Sequence, residues 1–216
     1  LAAALVIAVA AFSAVALFTD RVREALETEA HQLLGADLLL VADHPWPDTT
    51  RVAARRQGLR LAETVTFPSM VSAGEGARAV TQLADIKAAS ANYPLRGRLR
   101  IAAGRSLPDR EAAGVPIPGS VWIEERLATG LGVAVGNMVS VGSTHLRVAA
   151  LLTLEPDKGV NFFALAPRLL MNQADLAATG LLQEGIRASY RLLAAGEAKP
   201  VAEFSRQMAR HLGRGE

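Results

Sequence analysis

The sequence predicts an α+β fold: a mixed or antiparallel sheet with packed helices, entered through an N-terminal membrane-spanning helix that extends into a stalk. Two observations carry this. An uncharged apolar run over 1–18, with Ser13 as its one polar residue, passes into a charged segment with no Pro or Gly before Gly35. Beyond Gly35, runs that alternate or stay apolar are interspersed with runs of helical spacing, without a strict strand–helix–strand rhythm.

At about 1.5 Å rise per residue, a helix over 1–18 nearly crosses a hydrocarbon core of about 30 Å. A cleaved signal peptide competes, because Ala14 and Ala16 flank a cleavage-like site. The length of the apolar run, the missing basic flank and the helical pattern that continues past the cut favour an anchor. Both readings put the remaining residues outside the cytoplasm. Residues 19–35 read as a helical stalk: Val22, Leu26, Ala30 and Leu33 form one apolar stripe, and Arg23 and Glu27 can pair one turn apart. Gly35 suits the left-handed residue that ends a helix.

Residues 36–216 then form the core domain, with a β-rich stretch around 120–155. The run ADLLLVAD after Gly35 reads as a buried strand stopped by Pro45 and Pro47. Asp48 is placed to cap a helix reaching Gln57, and Gly58 to close it. Residues 59–67 alternate as a half-buried strand before Pro68. Gly74 and Gly76 turn the chain into a second strand over 77–90, where abundant alanine keeps helix as an alternative. A Gly-, Pro- and Arg-rich connection follows, with one short strand near 99–102. Its Arg96, Arg98, Arg100 and Arg105 read as solvated strand-edge charges, with an anionic ligand as the rival reading.

Spacing of Ile123, Leu127 and Leu131 predicts a helix over 122–131. A hairpin follows, with strands over 138–141 and 146–154 and turns at Gly136-Asn137 and Gly142-Ser143. A strand over 162–170 broken by Pro167, a short helix over 172–178 ended by Gly180, and a strand over 186–193 come next. The last element is a helix running to about Leu212 with Pro200 in its first turn.

The composition removes whole classes of function. Net charge is +2 and aromatics make up 5%, so neither a basic field nor a base-stacking surface points to nucleic acid. Cysteine is absent, which excludes disulfides, thiolate metal sites and thiol nucleophiles. His31, His44, His145 and His211 lie far apart with no metal-ligand spacing. Neither a G-x-S-x-G elbow nor a phosphate-binding P-loop occurs, and Glu124 and Glu125 would point to different sides of a helix. No residue is assigned to catalysis, to a cofactor or to a metal. An anchored extracytoplasmic interaction domain is what remains.

Taken in order, the stretches QLLGADLLL, YPLRG and VWIEERLATGLGVAVGNMVSVG resemble the N-terminal part of ABC transporter permeases of the YbbP-like subfamily, similar in plan to MacB and FtsX. The resemblance spans nearly the whole chain. It implies a MacB-like periplasmic core domain on a bacterial inner membrane permease, with residues from about 19 onward periplasmic and further spans beyond Glu216. It also implies a cytoplasmic ABC ATPase partner that binds the ATP, a second permease protomer, and a stalk that carries ATP-driven movement outward. A periplasmic esterase or lysophospholipase partner and envelope lipid or lipoprotein handling follow from the names of relatives. Val22, Leu26, Ala30 and Leu33 are then expected in stalk packing, and Tyr93, Pro94, Leu95, Arg96 and Gly97 in a partner-facing loop. A single-anchor periplasmic sensor or assembly module is the alternative, and it predicts no further spans.

Overall fold

The computed structural model describes residues 17–19, 21–22, 34–74, 76–160, 166–183 and 186–210. Residues 17–19 and 21–22 are helical. No helix among the described residues is long and apolar enough to cross a membrane, and residues 1–16 of the predicted span lie outside them. Gly35 takes φ +72°, the left-handed backbone expected where the stalk ends.

One ten-stranded sheet organises the domain in the order β1-β10-β2-β3-β9-β6-β8-β4-β5. Its strands are β1 Leu38–Ala42, β2 Arg60–Ala73, β3 Val80–Ala89, β4 Arg100–Ala102, β5 Asp109–Glu111, β6 Ser120–Ile123, β7 Met138–Val141, β8 Thr144–Leu154, β9 Arg168–Asn172 and β10 Ser189–Ala195. The β7 strand lies off this path and bridges β8 to the far end of β2. The sheet is mixed: β3–β9 and β6–β8 are parallel and the remaining pairs antiparallel. Helices α1 Asp48–Arg56, α2 Glu125–Leu131, α3 Gln173–Leu176 and α4 Ala198–Ala209 pack around it.

Three apolar clusters fill the layers. Leu40, Trp46, Ala54, Leu192 and Phe204 seat α1 and α4 on the β1–β10 end. Phe67, Ile86, Val121, Ile123, Leu127 and Leu169 join α2 to the centre of the sheet. On the opposite face Tyr93, Leu95, Leu99, Trp122, Leu170 and Leu193 pack beneath the connection between β3 and β4. Strands β6 and β9 are thus covered on both faces, which makes their runs Val121-Trp122-Ile123 and Leu169-Leu170-Met171 continuously apolar instead of alternating.

That double burial explains the main correction. Residues 120–123 are a strand, and the predicted helix over 122–131 begins only after Glu124, whose ψ of 150° is still extended. Leu127 and Leu131 do share the buried helical stripe, whereas Ile123 belongs to the sheet. At α1, Pro47 is the N-cap residue and Asp48 the first acidic residue of the helix.

β2 continues through Pro68 to Ala73 instead of stopping before the proline. Pro68 stands opposite Asp85, whose amide turns away to donate to Pro167 O. The Pro68 nitrogen therefore faces the other side of β2, in the gap between β10, which covers residues 60–66, and β7, which begins at Val71. No ladder donor is lost there. Residues 80–89 form a strand, so helix is excluded. β5 falls within the connection read as irregular. The strand predicted over 162–170 is described as Arg168–Asn172, and residues 161–165 lie outside the described residues. The strand predicted over 186–193 is Ser189–Ala195, and the last helix starts at Ala198 with Pro200 in its first turn.

Candidate functional site

The most unusual feature of the interior is a buried charge network on the Tyr93 face of the sheet. Lys87 arrives on β3, pointing to the face opposite Ile86. Its Nζ donates to Tyr93 Oη at 2.8 Å, Glu155 Oε1 at 2.7 Å and Asp157 Oδ1 at 2.6 Å. Tyr93 Oη donates to Asp157 Oδ1 at 2.5 Å. Arg168 Nε reaches Glu155 Oε2 at 2.9 Å and its terminal nitrogen reaches Asp85 Oδ2 at 2.6 Å. Arg191 adds a contact to Asp157 Oδ2 at 3.1 Å. Three cations thus face three carboxylates, and the Lys87, Glu155 and Asp157 side chains are at most 1% exposed.

Burial and the neighbouring carboxylates push the Tyr93 hydroxyl well above the ordinary tyrosine range, so it is a permanent donor. Burial works against ionisation of Asp157, but the Lys87 charge and hydrogen bond outweigh it and hold the carboxyl at about 2. Beside the network, Lys158 pairs with Glu124, which also accepts from the Arg168 amide at 3.1 Å.

The network lies on the seam of the sheet. Lys87, Asp85, Tyr93 and Arg191 come from the β1–β10–β2–β3 half, while Glu155, Asp157 and Arg168 come from the half that starts at β9. Nearly every ion pair crosses between the halves, beside the parallel β3–β9 pairing that aligns Asp85 with Arg168. Chemically the arrangement is a lock. The Lys87 donors are committed to Tyr93, Glu155 and Asp157 and shielded from solvent.

A second cluster sits around Gly35. Gly35 O accepts from Leu95 N at 3.0 Å and Arg96 N at 2.9 Å. The Arg96 guanidinium grips Asp37 through two bonds of 2.8 Å, and Asp37 Oδ2 also accepts from Gly196 N at 3.0 Å. The segment 93–97 joins the two clusters, and its Tyr93–Pro94 peptide is cis. A Cβ placed on Gly35 would lie 3.8 Å from Tyr93 Cε2 and 3.8 Å from Pro94 Cβ. Tyr93 therefore lies near Gly35 and buries its hydroxyl in the charge network.

Of the stalk residues picked from sequence, Val22 is helical and exposed; Leu26, Ala30 and Leu33 lie outside the described residues. Of the loop residues, Tyr93 and Leu95 are buried, Arg96 is occupied by Asp37, and Gly97 takes φ +73°. Tyr93 and Leu95 thus face their own domain, while Gly97 is exposed. Arg98 and Arg100 pair with Glu111 and Asp109, as edge charges do. Lys87, Glu155, Asp157, Arg168 and Arg191 escaped sequence reasoning. The available sign was a charge inside an apolar or alanine-rich strand: Lys87 in LADIKAA and Arg168 beside LLM.

Residues 1–210 match the family described as the MacB-like periplasmic core domain. The chain is 34% identical over 188 residues to the uncharacterized ABC transporter permease YbbP of Escherichia coli K12. That match covers 87% of this chain and 22% of the relative, so the chain spans about a fifth of that protein. Among solved structures it is similar to the extracellular domain of the noncanonic ABC-type transporter YknZ from Gram-positive bacteria, at 12% identity and a TM-score of 0.49, covering 81% of this chain and 92% of that one.

Proposed function

The chain belongs to the MacB-like periplasmic core domain family, and from that premise we propose that it is a non-catalytic, extracytoplasmic coupling domain of an ABC transporter permease. In this reading residues 1–18 anchor the chain in a bacterial inner membrane. Residues 19–35 carry movement outward from a cytoplasmic ABC ATPase, which binds the ATP, and a second permease protomer packs on the stripe of Val22, Leu26, Ala30 and Leu33. The domain then acts on an envelope lipid or lipoprotein, alone or with a periplasmic esterase or lysophospholipase.

One observation carries the coupling: the Leu95 and Arg96 amides donate to Gly35 O, while the hydroxyl of Tyr93 in the same short segment bonds Asp157 across the seam of the sheet. A displacement at the stalk exit meets Leu95, Arg96 and Asp37 before any flexible loop can absorb it. Buried charge pairs in a low dielectric are stiff and directional, and this set joins the half of the sheet nearest the stalk to the remote half. The absence of solvent access to Lys87 supports the non-catalytic part of the reading.

The test is ATP turnover and stalk-to-domain coupling in the full-length permease reconstituted with its ATPase. Asp37→Asn removes the charge that Arg96 and Gly196 share, without altering shape. The expected result is a reduced stimulation of turnover by the permease, with assembly unchanged, and Leu26→Pro should reduce it further. Unaltered turnover in both variants would overturn coupling and favour a passively anchored sensor or assembly module.

A further inference from the structure

The turn between β4 and β5 faces the loop between α2 and β7 across a cleft of about 470 Å3. That volume lies within the range of about 300–1,000 Å3 typical of small-molecule sites. Val133 and Leu151, both buried, form its floor, and Val135 flanks them. No carboxylate lines it among the described residues. At the rim stands Arg105, exposed and with no ion pair or hydrogen bond among the described residues.

Both walls are built in advance. On one side Asn137 Oδ1 accepts from Ala134 N at 2.8 Å, Gly136 N donates to Val148 O at 2.8 Å, and Val133 N donates to Ala128 O at 2.9 Å. On the other, the turn holding Arg105 contains Ser106 at φ +60°, a left-handed backbone that a non-glycine residue adopts at a cost. A guanidinium fork left without a partner matches a planar carboxylate in two parallel bonds, and the Val133 and Leu151 side chains in the same cleft offer apolar surface to an aliphatic group.

We propose that this cleft binds a small carboxylate carried on an aliphatic body, with the carboxylate on Arg105 and the aliphatic part over Val133 and Leu151. A peptide C-terminus with an apolar last residue and a fatty acid share this chemistry. The inference does not rest on the coupling reading, because it is tested on the chain without an ATPase.

The experiment uses the 216-residue chain in phosphatidylcholine nanodiscs, with valine and leucine methyl groups labelled for NMR and titrated with hexanoate, acetyl-alanyl-leucine, hexanol and acetate. Saturable shifts of the Val133, Val135 and Leu151 methyls are expected. Hexanoate or the dipeptide should bind at least tenfold tighter than hexanol or acetate, and the tighter of the two names the source. Arg105→Gln should erase the preference for hexanoate over hexanol. Thr129→Trp, placed at the exposed mouth, should abolish binding with the melting temperature unchanged. Absence of saturable shifts, hexanol or acetate binding as tightly as hexanoate, or Arg105→Gln retaining the preference would each overturn the proposal.

Discussion

Lys87 shows how one residue can be indispensable without being stabilising on balance. Burying an ion pair costs several kcal/mol per ion in desolvation, and its mutual attraction offsets this only when every donor and acceptor is met. Here nearly all are, Arg191 Nε being the exception, so removing one partner is what hurts. Lys87→Met should leave Glu155 and Asp157 buried side by side and cost about 3–5 kcal/mol in urea unfolding. Tyr93→Phe, which removes one hydroxyl from a charged acceptor, should cost about 1.5–3 kcal/mol. The pH dependence follows from Asp157. Its carboxyl sits at about 2 in the folded chain against an ordinary 3.8. The stability it contributes is therefore complete above about pH 4 and lost as pH falls through 2, a change of roughly 2 kcal/mol. Urea midpoints measured between pH 6 and pH 2 should fall along that interval, and Asp157→Asn should flatten the fall. None of this was legible in the sequence, since Lys87, Glu155 and Asp157 approach one another only through folding. What could be read was the Pro and Gly of 93–97 marking a shaped turn, whose inward direction depends on Gly35 and Asp37.

At the scale of elements, legibility followed the length of the periodic run. Half-buried elements declared themselves: α1, the β2–β3 hairpin and the β7–β8 hairpin lie close to where periodicity and turn residues put them, whereas the three-residue edge strand β5 is too short to show a period. Strand β6 did not, because both of its faces are covered, and a run such as Val121-Trp122-Ile123 carries no period of two. Pro68 misled for a related reason. Proline breaks a ladder only where its nitrogen faces a partner, and a sequence cannot show that β10 ends and β7 begins on either side of it. The β7–β8 turn supplies a prediction at this scale. Gly142 has φ +57°, and a Cβ there would stand 2.1 Å from Thr179 O and 2.8 Å from Leu181 Cγ. Gly136 has φ +99° with nothing within 4 Å of such a Cβ. Gly142→Ala therefore meets both backbone strain, about 1–2 kcal/mol, and a clash with main chain, whereas Gly136→Ala meets strain alone. Thermal unfolding should rank Gly142→Ala as clearly the more damaging; equal effects would mean that the β7–β8 turn moves away freely from the segment after α3.

For the whole molecule, the question is whether the stalk exit and the remote half of the sheet respond as one body. The α+β class and the entry from Gly35 into a strand were legible, because they depend on local pattern and order; that this strand, read as buried, lies at the edge of the sheet was not. The seam was not, because strand order in a mixed sheet is set by packing between distant segments: β3 pairs with β9 although some 80 residues separate them, as the register of Asp85 with Arg168 shows. Coupling across that seam can be measured without knowing cargo or ATPase. Arg96→Ala acts at the stalk exit and Lys87→Met acts in the network; the two side chains have different partners. Independent sites add within about 0.3–0.5 kcal/mol, whereas residues that share a shifted backbone or a common partner do not. Both mutations bear on the segment led by Tyr93, whose Leu95 and Arg96 amides hold Gly35 O and whose Tyr93 hydroxyl hydrogen-bonds with Lys87 and Asp157. The double-mutant cycle in urea should therefore show an interaction energy above about 0.5 kcal/mol, and adding Tyr93→Ala to every corner should abolish it. Additivity in the first cycle would mean that the stalk exit and the seam are separately held, leaving the Tyr93 segment as packing and no more.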